Sequence, residues 1–372
     1  MKTNKIINRT FEMKSWKGKK EMTESGFHVA VTGATGAVGQ QIVQLLAQTN
    51  FPIRKLTLLS SERSAGTVIT YKGKDIVVEK AAPERYEGVD IAFFSAGGSI
   101  SQQLAPEAVK RGAIVIDNTS AYRMDETVPL VVPEVNEEAL HEHRGIIANP
   151  NCSTIQMVAA LEPIRQAFGL KKVIVSTYQA VSGAGVQAIE EMKNQTKALL
   201  NDQSIQPATL PVKGAEKHYQ IAFNVIPQID VFSENGYTLE EMKMMNETKK
   251  IMNMPALKVA ATCVRLPVET GHSESVYIEV EKGNVTTKDI HEVLQKAPGV
   301  VLQDNPQEQL YPMPADAVGK TDIFVGRIRQ DLDENNGFHM WIVSDNLLKG
   351  AAWNSVQIAQ SLIKLDLVKP KN

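Results

Sequence analysis

Short apolar runs alternate with amphipathic stretches over roughly the first 150 residues. Phe27 to Thr32 (FHVAVT) is apolar and runs into glycine, the pattern of a buried strand. In the QQIVQLLAQ that follows, Ile42, Val43, Leu45 and Leu46 recur at helical spacing. Lys55 to Leu59 predicts a second strand, and Asp75 to Val78 and Val89 to Phe94 predict two more. Pro106 to Arg111 belongs to a helix, and Ala113 to Ile116 is another buried strand. Strands alternating with helices predict an α/β unit with a parallel, doubly wound sheet.

The pattern changes near residue 150. Gly145 to Ala148 reads as a short strand and Ser153 to Phe168 as a helix, with Pro163 expected to kink or restart it. Lys172 to Ala180 is a strand, followed by Ser182-Gly-Ala-Gly185 and a helix to about Leu200. Residues 202 to 237 are loop-rich, and Thr238 to Asn253 is helical. Strands of period two come next: Val276, Ile278 and Val280 share one face, and Ser275, Tyr277 and Glu279 the other. Phe324 to Ile328 and His339 to Val343 continue the pattern. Such sheets cover one face with helices and present the other to something else. This predicts a second, α+β domain with a mixed sheet. The expected boundaries are 1–25 for an N-terminal extension, 26–151 for a dinucleotide-binding domain and 152–346 for a second domain. A helix over 347–366 returns to the first domain.

Composition narrows the class. The 372 residues are 43% hydrophobic and 22% charged, with a formal net charge of -2, as in ordinary globular proteins. No long basic block follows residue 21, so nucleic acid is not an expected partner. No apolar run is long enough for a membrane span. Two cysteines, Cys152 and Cys263, make no disulfide framework, and no Cys/His spacing resembles a metal site, which fits a reducing cytoplasm. The first 21 residues are basic and polar and lack the core of a signal peptide. Lys17-Gly18-Lys19-Lys20-Glu21 reads as purine-rich codons of a bacterial ribosome-binding site translated in frame, which makes Met22 rather than Met1 the expected start.

Candidate chemistry begins at Gly33-x-x-Gly36-x-x-Gly39, between a predicted strand and a predicted helix. The first glycine permits a tight turn, the second lets backbone approach a pyrophosphate, and the third lets helix and strand pack closely. Thr35, Ala37 and Val38 complete the expected cofactor loop. The spacing differs from GxGxxG, and a tight turn without a ligand is the plainer alternative. The second strand ends in Ser60-Ser61-Glu62-Arg63-Ser64. Ser60, Ser61, Arg63 and Ser64 suit the 2′-phosphate of NADP, whereas Glu62 would serve the ribose hydroxyl of NAD.

Cys263 sits in a strand-like Ala-Thr-Cys-Val and reads as a small buried hydrophobe. Cys152 follows an Asn-Pro-Asn turn at the start of a helix, where free N–H groups and the macrodipole favour an exposed thiolate. Such a thiolate attacks carbonyls and forms acyl-enzymes. Among seven histidines, His141 and His143 lie in a polar stretch, and His28 and His339 lie in strand patterns. His272 lies in Arg265-Leu-Pro-Val-Glu-Thr-Gly-His272-Ser, read as a loop between strands, and is the candidate acid/base. Nothing in the spacing brings it to Cys152.

Taken together, VTGATGAVG, NTSAYRM, NPNCSTIQ, STYQAVSGAG, EEMK, ETKKI, CVRLPVETGHSES and SDNLLKGAAWNSVQIA, in this order, resemble the aspartate-semialdehyde dehydrogenases of Gram-positive bacteria. The likeness spans nearly all of 27–366 and excludes the residues before Met22. It implies a Rossmann-type domain, a catalytic and dimerisation domain, and a homodimer. The implied reaction is the NADPH-dependent reductive dephosphorylation of L-aspartyl 4-phosphate to L-aspartate 4-semialdehyde, a step toward lysine, threonine, methionine and diaminopimelate. By the same resemblance Cys152 is the nucleophile, His272 the acid/base and Gln179 the residue that positions the substrate. Arg265 would bind the α-carboxylate, Glu240 the α-ammonium, and Arg123 and Lys243 with Asn151 the phosphate. Ser182, Gly183 and Gly185 would border the nicotinamide. From spacing alone, Glu240 and Lys243 also read as a surface ion pair on a helix, and Arg123 as a loop charge.

Three other readings compete. A sister acyl-phosphate reductase, such as N-acetyl-glutamyl-phosphate reductase, shares cysteine and cofactor but has a different cysteine context. An NADP-sensing protein that has lost its chemistry would not need Cys152, Gln179, Arg265 and His272 together. A short-chain dehydrogenase needs Tyr-x-x-x-Lys, and none of the eight tyrosines has a lysine four residues on.

Overall fold

The computed structural model describes residues 26–49 and 51–371. The expected N-terminal extension, with the alternative starts Met1 and Met22, lies outside the described residues. The first domain comprises β1 (Phe27–Thr32), α1 (Ala37–Gln48), β2 (Ile53–Ser60), β3 (Val68–Tyr71), β4 (Lys74–Val77), β5 (Glu79–Lys80), β6 (Ile91–Phe94), α2 (Gly98–Lys110), β7 (Ile114–Asp117), α3 (Pro133–Asn136) and β8 (Ile146–Ala148). Its main sheet runs β5-β2-β1-β6-β7-β8, and every pair is parallel. The order reverses between β1 and β6, the switch point where open α/β sheets bind ligands. The loop after β1 is the glycine loop, so the topology puts it at that crevice.

One expectation changes here. Asp75 to Val78 is not a strand of the parallel sheet; β3 and β4 form a separate antiparallel hairpin. Its turn places Lys72 at φ 48° and Gly73 at φ 79°, the backbone of a tight hairpin turn. The helix expected to hold Pro106 to Arg111 runs from Gly98 to Lys110, with Arg111 as its C-cap. The strand at 146–148 closes the first sheet by pairing with β7, so the change of fold comes just after it.

The second domain opens with α4 (Cys152–Phe168), then β9 (Lys172–Gln179), α5 (Val186–Leu199), α6 (Leu239–Ile251), β10 (Lys258–Arg265), β11 (His272–Glu279), α7 (Thr287–Gln295), β12 (Val300–Leu302), α8 (Pro314–Ala317), β13 (Ile323–Gln330) and β14 (Gly337–Ser344). Its mixed sheet runs β10-β9-β11-β14-β13-β12. The inward face of Val173, Val175, Val276, Ile278, Met340 and Ile342 packs on α4 residues such as Ile155, Val158 and Leu161. α4 remains one helix through Pro163 and is buried along most of its length. α6 begins with a capping box between Thr238 and Glu241, which stabilises a helix start by about 1 kcal/mol.

A π-helical turn (Leu348–Ala352) leads into α9 (Trp353–Lys364). Leu348, Val356, Ile358 and Leu362 join the core of the first domain, as expected for a helix that returns to it. Among the described residues no helix is long and apolar enough to cross a membrane.

Candidate active site

Cys152 is the first residue of α4. Asn151 caps the helix, its Oδ1 accepting from the N–H groups of Ser153 (3.0 Å) and Thr154 (3.3 Å). Cys152 borders a cavity of about 470 Å³ shared with Arg123, Gln179, Glu240, Arg265 and His272. Residues from five separate stretches of sequence thus meet at one helix start. Both domains contribute, since Val38 and Asn118 of the first domain line the same cavity.

The chemistry around the thiol differs from the sequence expectation in two ways. Cys152 is half-buried, and its thiol is pushed up to about 12. Burial is the main cause and Glu240 the next, while Arg123, Arg265 and the Ser153 N–H pull the other way. The helix start alone therefore does not yield a resting thiolate. His272 is not in a loop but is the first residue of β11, fully buried. Burial first, then Arg265, lowers its pKa to about 3, against an upward pull from Glu240. The imidazole is neutral at physiological pH. The Ala180 N–H donates to its Nδ1 at 3.0 Å, so the ring proton resides on Nε2. That Nε2 has no partner among the described residues, and neither does Oε1 of buried Gln179. Two buried polar groups without partners, at one cavity, indicate a place for a ligand.

Glu240 is buried and lines the cavity, so the surface ion-pair reading does not hold. Its Oε1 accepts from Asn151 Nδ2 (2.8 Å) and Gln179 Nε2 (3.0 Å), and Lys243 lies 3.4 Å from Oε2. Burial works to raise its pKa, but Lys243, the two amides and Arg265 hold it down at about 2. Glu240 is an anion at any working pH. Lys243 also binds Asp230 at 2.7 Å. Burial lowers its pKa, but Glu240 and Asp230 outweigh that and raise it. Arg265 is buried, donates to the Ala180 carbonyl at 2.8 Å, and has no carboxylate within ion-pair distance among the described residues. Its charge is available to an anionic ligand. Arg123 is buried rather than a loop charge and donates to the carbonyls of Asn149 (3.0 Å) and Asn118 (2.9 Å). Asn151 has its amide committed to the helix cap and to Glu240.

The cofactor loop is built for close approach. A Cβ at Gly39 would fall on the carbonyl oxygen of Gly33, so helix and turn touch as the third-glycine role requires. Gly33 has φ +86°, and a Cβ there would stand 2.8 Å from the backbone of Ser95. Gly36 caps α1, whose first residues are Ala37 and Val38. Thr35 Oγ1 and Ser60 Oγ lie 2.8 Å apart, and Ser64 borders a separate cleft with Thr35. Ser61 and Arg63 are exposed at the end of β2. Glu62, the residue that would favour NAD, pairs with Lys80 at 3.0 Å. Across the cavity Val181–Ala184 forms a short helical turn. A Cβ at Gly183 would stand 3.0 Å from Arg265 Nη1 and 3.5 Å from His272 Nε2. Gly185 turns with φ +91° and caps α5.

Two site residues were not singled out individually by sequence reasoning. Asn346 Oδ1 accepts from the Gly271 N–H (2.9 Å), and its Nδ2 donates to Ser182 Oγ (3.0 Å), which ties the loop before His272 to the turn at Ser182. Gly350 packs on Cys152: a Cβ there would stand 2.7 Å from the Cys152 Cβ. Both lie in SDNLLKG, far away in sequence, and only the return of α9 to the first domain brings them in.

Known proteins match this arrangement. Residues 28–143 match the semialdehyde dehydrogenase NAD binding domain, and residues 161–349 the semialdehyde dehydrogenase dimerisation domain. The chain is 72% identical over 343 residues to the aspartate-semialdehyde dehydrogenase of Bacillus subtilis, covering 92% of this chain and 99% of that protein. It is similar to the crystal structure of aspartate semialdehyde dehydrogenase II complexed with ASA from Vibrio cholerae, with TM-score 0.86 and 46% identity over 91% of this chain and 98% of that one. It also resembles the Candida albicans aspartate semialdehyde dehydrogenase crystallised with NADP, with TM-score 0.71 and 26% identity over 92% of this chain and 100% of that one. With both domains matched and most of the sequence shared, the chain belongs to the aspartate-semialdehyde dehydrogenase family.

Proposed function

We propose that this protein catalyses the reversible conversion of L-aspartate 4-semialdehyde, phosphate and NADP to L-aspartyl 4-phosphate and NADPH, through a thioester on Cys152. The observation that carries this reading is the cavity at the start of α4. There a thiol meets a buried anion (Glu240), a buried cation (Arg265) and polar atoms of Gln179 and His272; among the described residues Arg265 has no carboxylate partner, and Gln179 Oε1 and His272 Nε2 have no hydrogen-bond partner. An amino acid with a reactive carbonyl complements that set. Its α-carboxylate takes the Arg265 fork and its α-ammonium takes Glu240. An N-acetylated substrate brings no ammonium to complement the Glu240 anion, which disfavours the sister reductase.

Binding of an ammonium at Glu240 cancels the charge that most opposes the Cys152 thiolate after burial itself. The substrate thereby helps to activate its own nucleophile. As substrate binds, the Cys152 thiol releases its proton to solvent. In the oxidative direction the thiolate sulfur adds to the aldehyde carbon, and His272 Nε2–H hydrogen-bonds the oxyanion that forms while keeping its own proton. Gln179 Nε2 is committed to Ser153 (2.5 Å) and Glu240 (3.0 Å), which aims its unpartnered Oε1, an acceptor, at a donor on the substrate such as the α-ammonium and so positions the substrate beside the sulfur. Bound NADP would supply the hydride acceptor for the carbon attached to sulfur, whose oxyanion re-forms its C=O as the Cys152 thioester. Gly33, Gly36, Ala37 and Val38 would seat the pyrophosphate, Ser60, Ser61, Arg63 and Ser64 the 2′-phosphate end, and Ser182, Gly183 and Gly185 would border the nicotinamide. Phosphate, held by Arg123 and Lys243, then attacks the acyl carbon, and the Cys152 sulfur leaves. A homodimer is supported by the matched dimerisation domain and by the open face of the second sheet, which presents Ile174, Tyr178, Tyr277 and Trp341.

The test is absorbance of NADPH after mixing protein, L-aspartate semialdehyde, NADP and phosphate, with runs that omit phosphate, substitute NAD or use Cys152→Ala. Phosphate-dependent NADP reduction that vanishes in the variant is the expected result. Full activity in Cys152→Ala would overturn the mechanism, and preference for NAD would overturn the role given to Ser60 through Ser64.

A further inference from the structure

α6 carries Glu240, Lys243, Glu247 and Lys250 along one stripe, at spacings of three, four and three. The first two face the cavity. The other two reach behind it. Glu247 is 1% exposed; its Oε1 accepts from Arg123 Nη1 at 3.2 Å, and its Oε2 accepts from the Asn151 N–H at 2.7 Å. Lys250 Nζ donates to the carbonyl oxygens of Arg123 (2.9 Å), Asp125 (2.7 Å) and Val128 (2.9 Å). Arg123 is thus held twice by α6, through its side chain and through its own peptide. The N–H of Asn151, the residue before Cys152, is held by the same carboxylate.

The donor count at Arg123 gives this a purpose. A guanidinium has five N–H groups. Three are used: Nε on Asn149 O, one of Nη1 on Glu247, and one of Nη2 on Asn118 O. Among the described residues one N–H on each terminal nitrogen has no partner, a pair of donors for a tetrahedral anion in the cavity that Arg123 lines. The orientation of that pair is set by the three bonds, and Glu247 is the only charged partner among the three. We propose that Glu247 is a positioning residue for the phosphate step: it aims the free edge of Arg123 and, through the Asn151 N–H, keeps that edge in register with Cys152. Lys250 supports the same register by clamping the 123–128 loop. This rests on the proposed reaction and deepens it. A buried pair kept only for stability would have no such selectivity between substrates.

The experiment compares wild type with Glu247→Gln, Glu247→Asp and Lys250→Met. The amide of the first still accepts from the Asn151 N–H but cannot accept charge-assisted bonds from Arg123 with the same geometry. Steady-state KM is measured for phosphate and for semialdehyde, and binding of inorganic phosphate is followed calorimetrically without the other substrates. Glu247→Gln should raise the phosphate KM and the phosphate Kd together by about tenfold, the weight of one charge-assisted hydrogen bond. The semialdehyde KM should stay within about twofold, since Arg265 and Glu240 are untouched. Glu247→Asp should recover part of the loss, and Lys250→Met should shift the phosphate KM in the same direction. Equal changes in both KM values, or an unchanged phosphate Kd, would overturn the assignment. Should Glu247→Gln not fold, Lys250→Met decides by the same two constants. Calorimetry separates the two readings: a protein inactive with semialdehyde whose phosphate binding still weakens in Glu247→Gln retains this assignment and loses the proposed reaction.

Discussion

Replacing Gly350 by alanine places one methyl group against the nucleophile from behind. The new Cβ would stand 2.7 Å from the Cys152 Cβ, 3.2 Å from its Cα and 3.4 Å from its carbonyl oxygen. Carbon atoms in contact settle at about 3.5–4.0 Å, so an overlap of about 1 Å must be relieved. Neither side yields easily. Lys349 is buried and bound to Glu134 (2.7 Å), Asn354 (3.2 Å) and Gln357 (2.7 Å), which pins the turn that carries Gly350. On the other side α4 is capped by Asn151 and packed in the core. Overpacking of this kind costs about 1–3 kcal/mol. Displacing a reacting atom by about 1 Å costs about 100-fold in rate. Gly350→Ala should therefore fold, melt a few degrees lower, bind NADP as wild type does, and lose about 100-fold in kcat for phosphate-dependent NADP reduction. Melting by circular dichroism, NADP titration by fluorescence and the NADPH assay measure these separately. A lowered melting temperature with kcat within about threefold of wild type would refute the claim that the placement of Cys152 limits the chemistry.

Other consequences follow from the buried charges. Glu240→Gln removes the anion that opposes the thiolate, so the Cys152 pKa should fall and alkylation by iodoacetamide at pH 8 should speed up, while the semialdehyde KM rises by about tenfold or more for loss of the ammonium partner; slower alkylation would contradict the sign. Glu274 is fully buried on β11, and burial raises its carboxyl well above the ordinary value near 4.5 against a smaller downward pull from the Gln156 side chain. A raised folded-state value means that native protein holds a proton the unfolded chain releases, so this group's stabilisation is present below pH 4.5 and fades as pH rises toward the folded pKa. Glu274→Gln, always neutral, should thus gain on wild type as pH increases from 5 to 8 in denaturant titrations, and a difference independent of pH would contradict a buried protonated acid.

The first sheet was legible because its strands are continuous apolar runs and its turn carries glycines for steric reasons now visible at Gly33 and Gly39. The hairpin at 68–77 was half missed, although Lys72-Gly73 between alternating residues is a turn signal, because the apolar run at 75–78 read as one more buried strand. His272 was picked as the acid/base but placed in a loop. The Thr-Gly before it ends the loop, and pairing with Ser344 makes it the first residue of a strand. The thiol at a helix start was legible, but its resting state was not. Helix position argues for a thiolate, whereas burial and Glu240 outweigh it, and neither burial nor a neighbour 88 residues away in the chain can be read from spacing. Glu247, Asn346 and Gly350 escaped individual notice for the same reason: each acts on a segment distant in sequence, and only the path of α6 and the return of α9 bring them into place.

The central claim is a covalent acyl group on Cys152 whose release needs phosphate. It is tested most directly by rapid mixing of the protein with saturating semialdehyde and NADP in the absence of phosphate. The account predicts a burst of NADPH equal to the concentration of active sites, then a stall, with turnover resuming when phosphate is added. Linear NADPH formation without phosphate, or no burst from protein that turns over when phosphate is present, would contradict it.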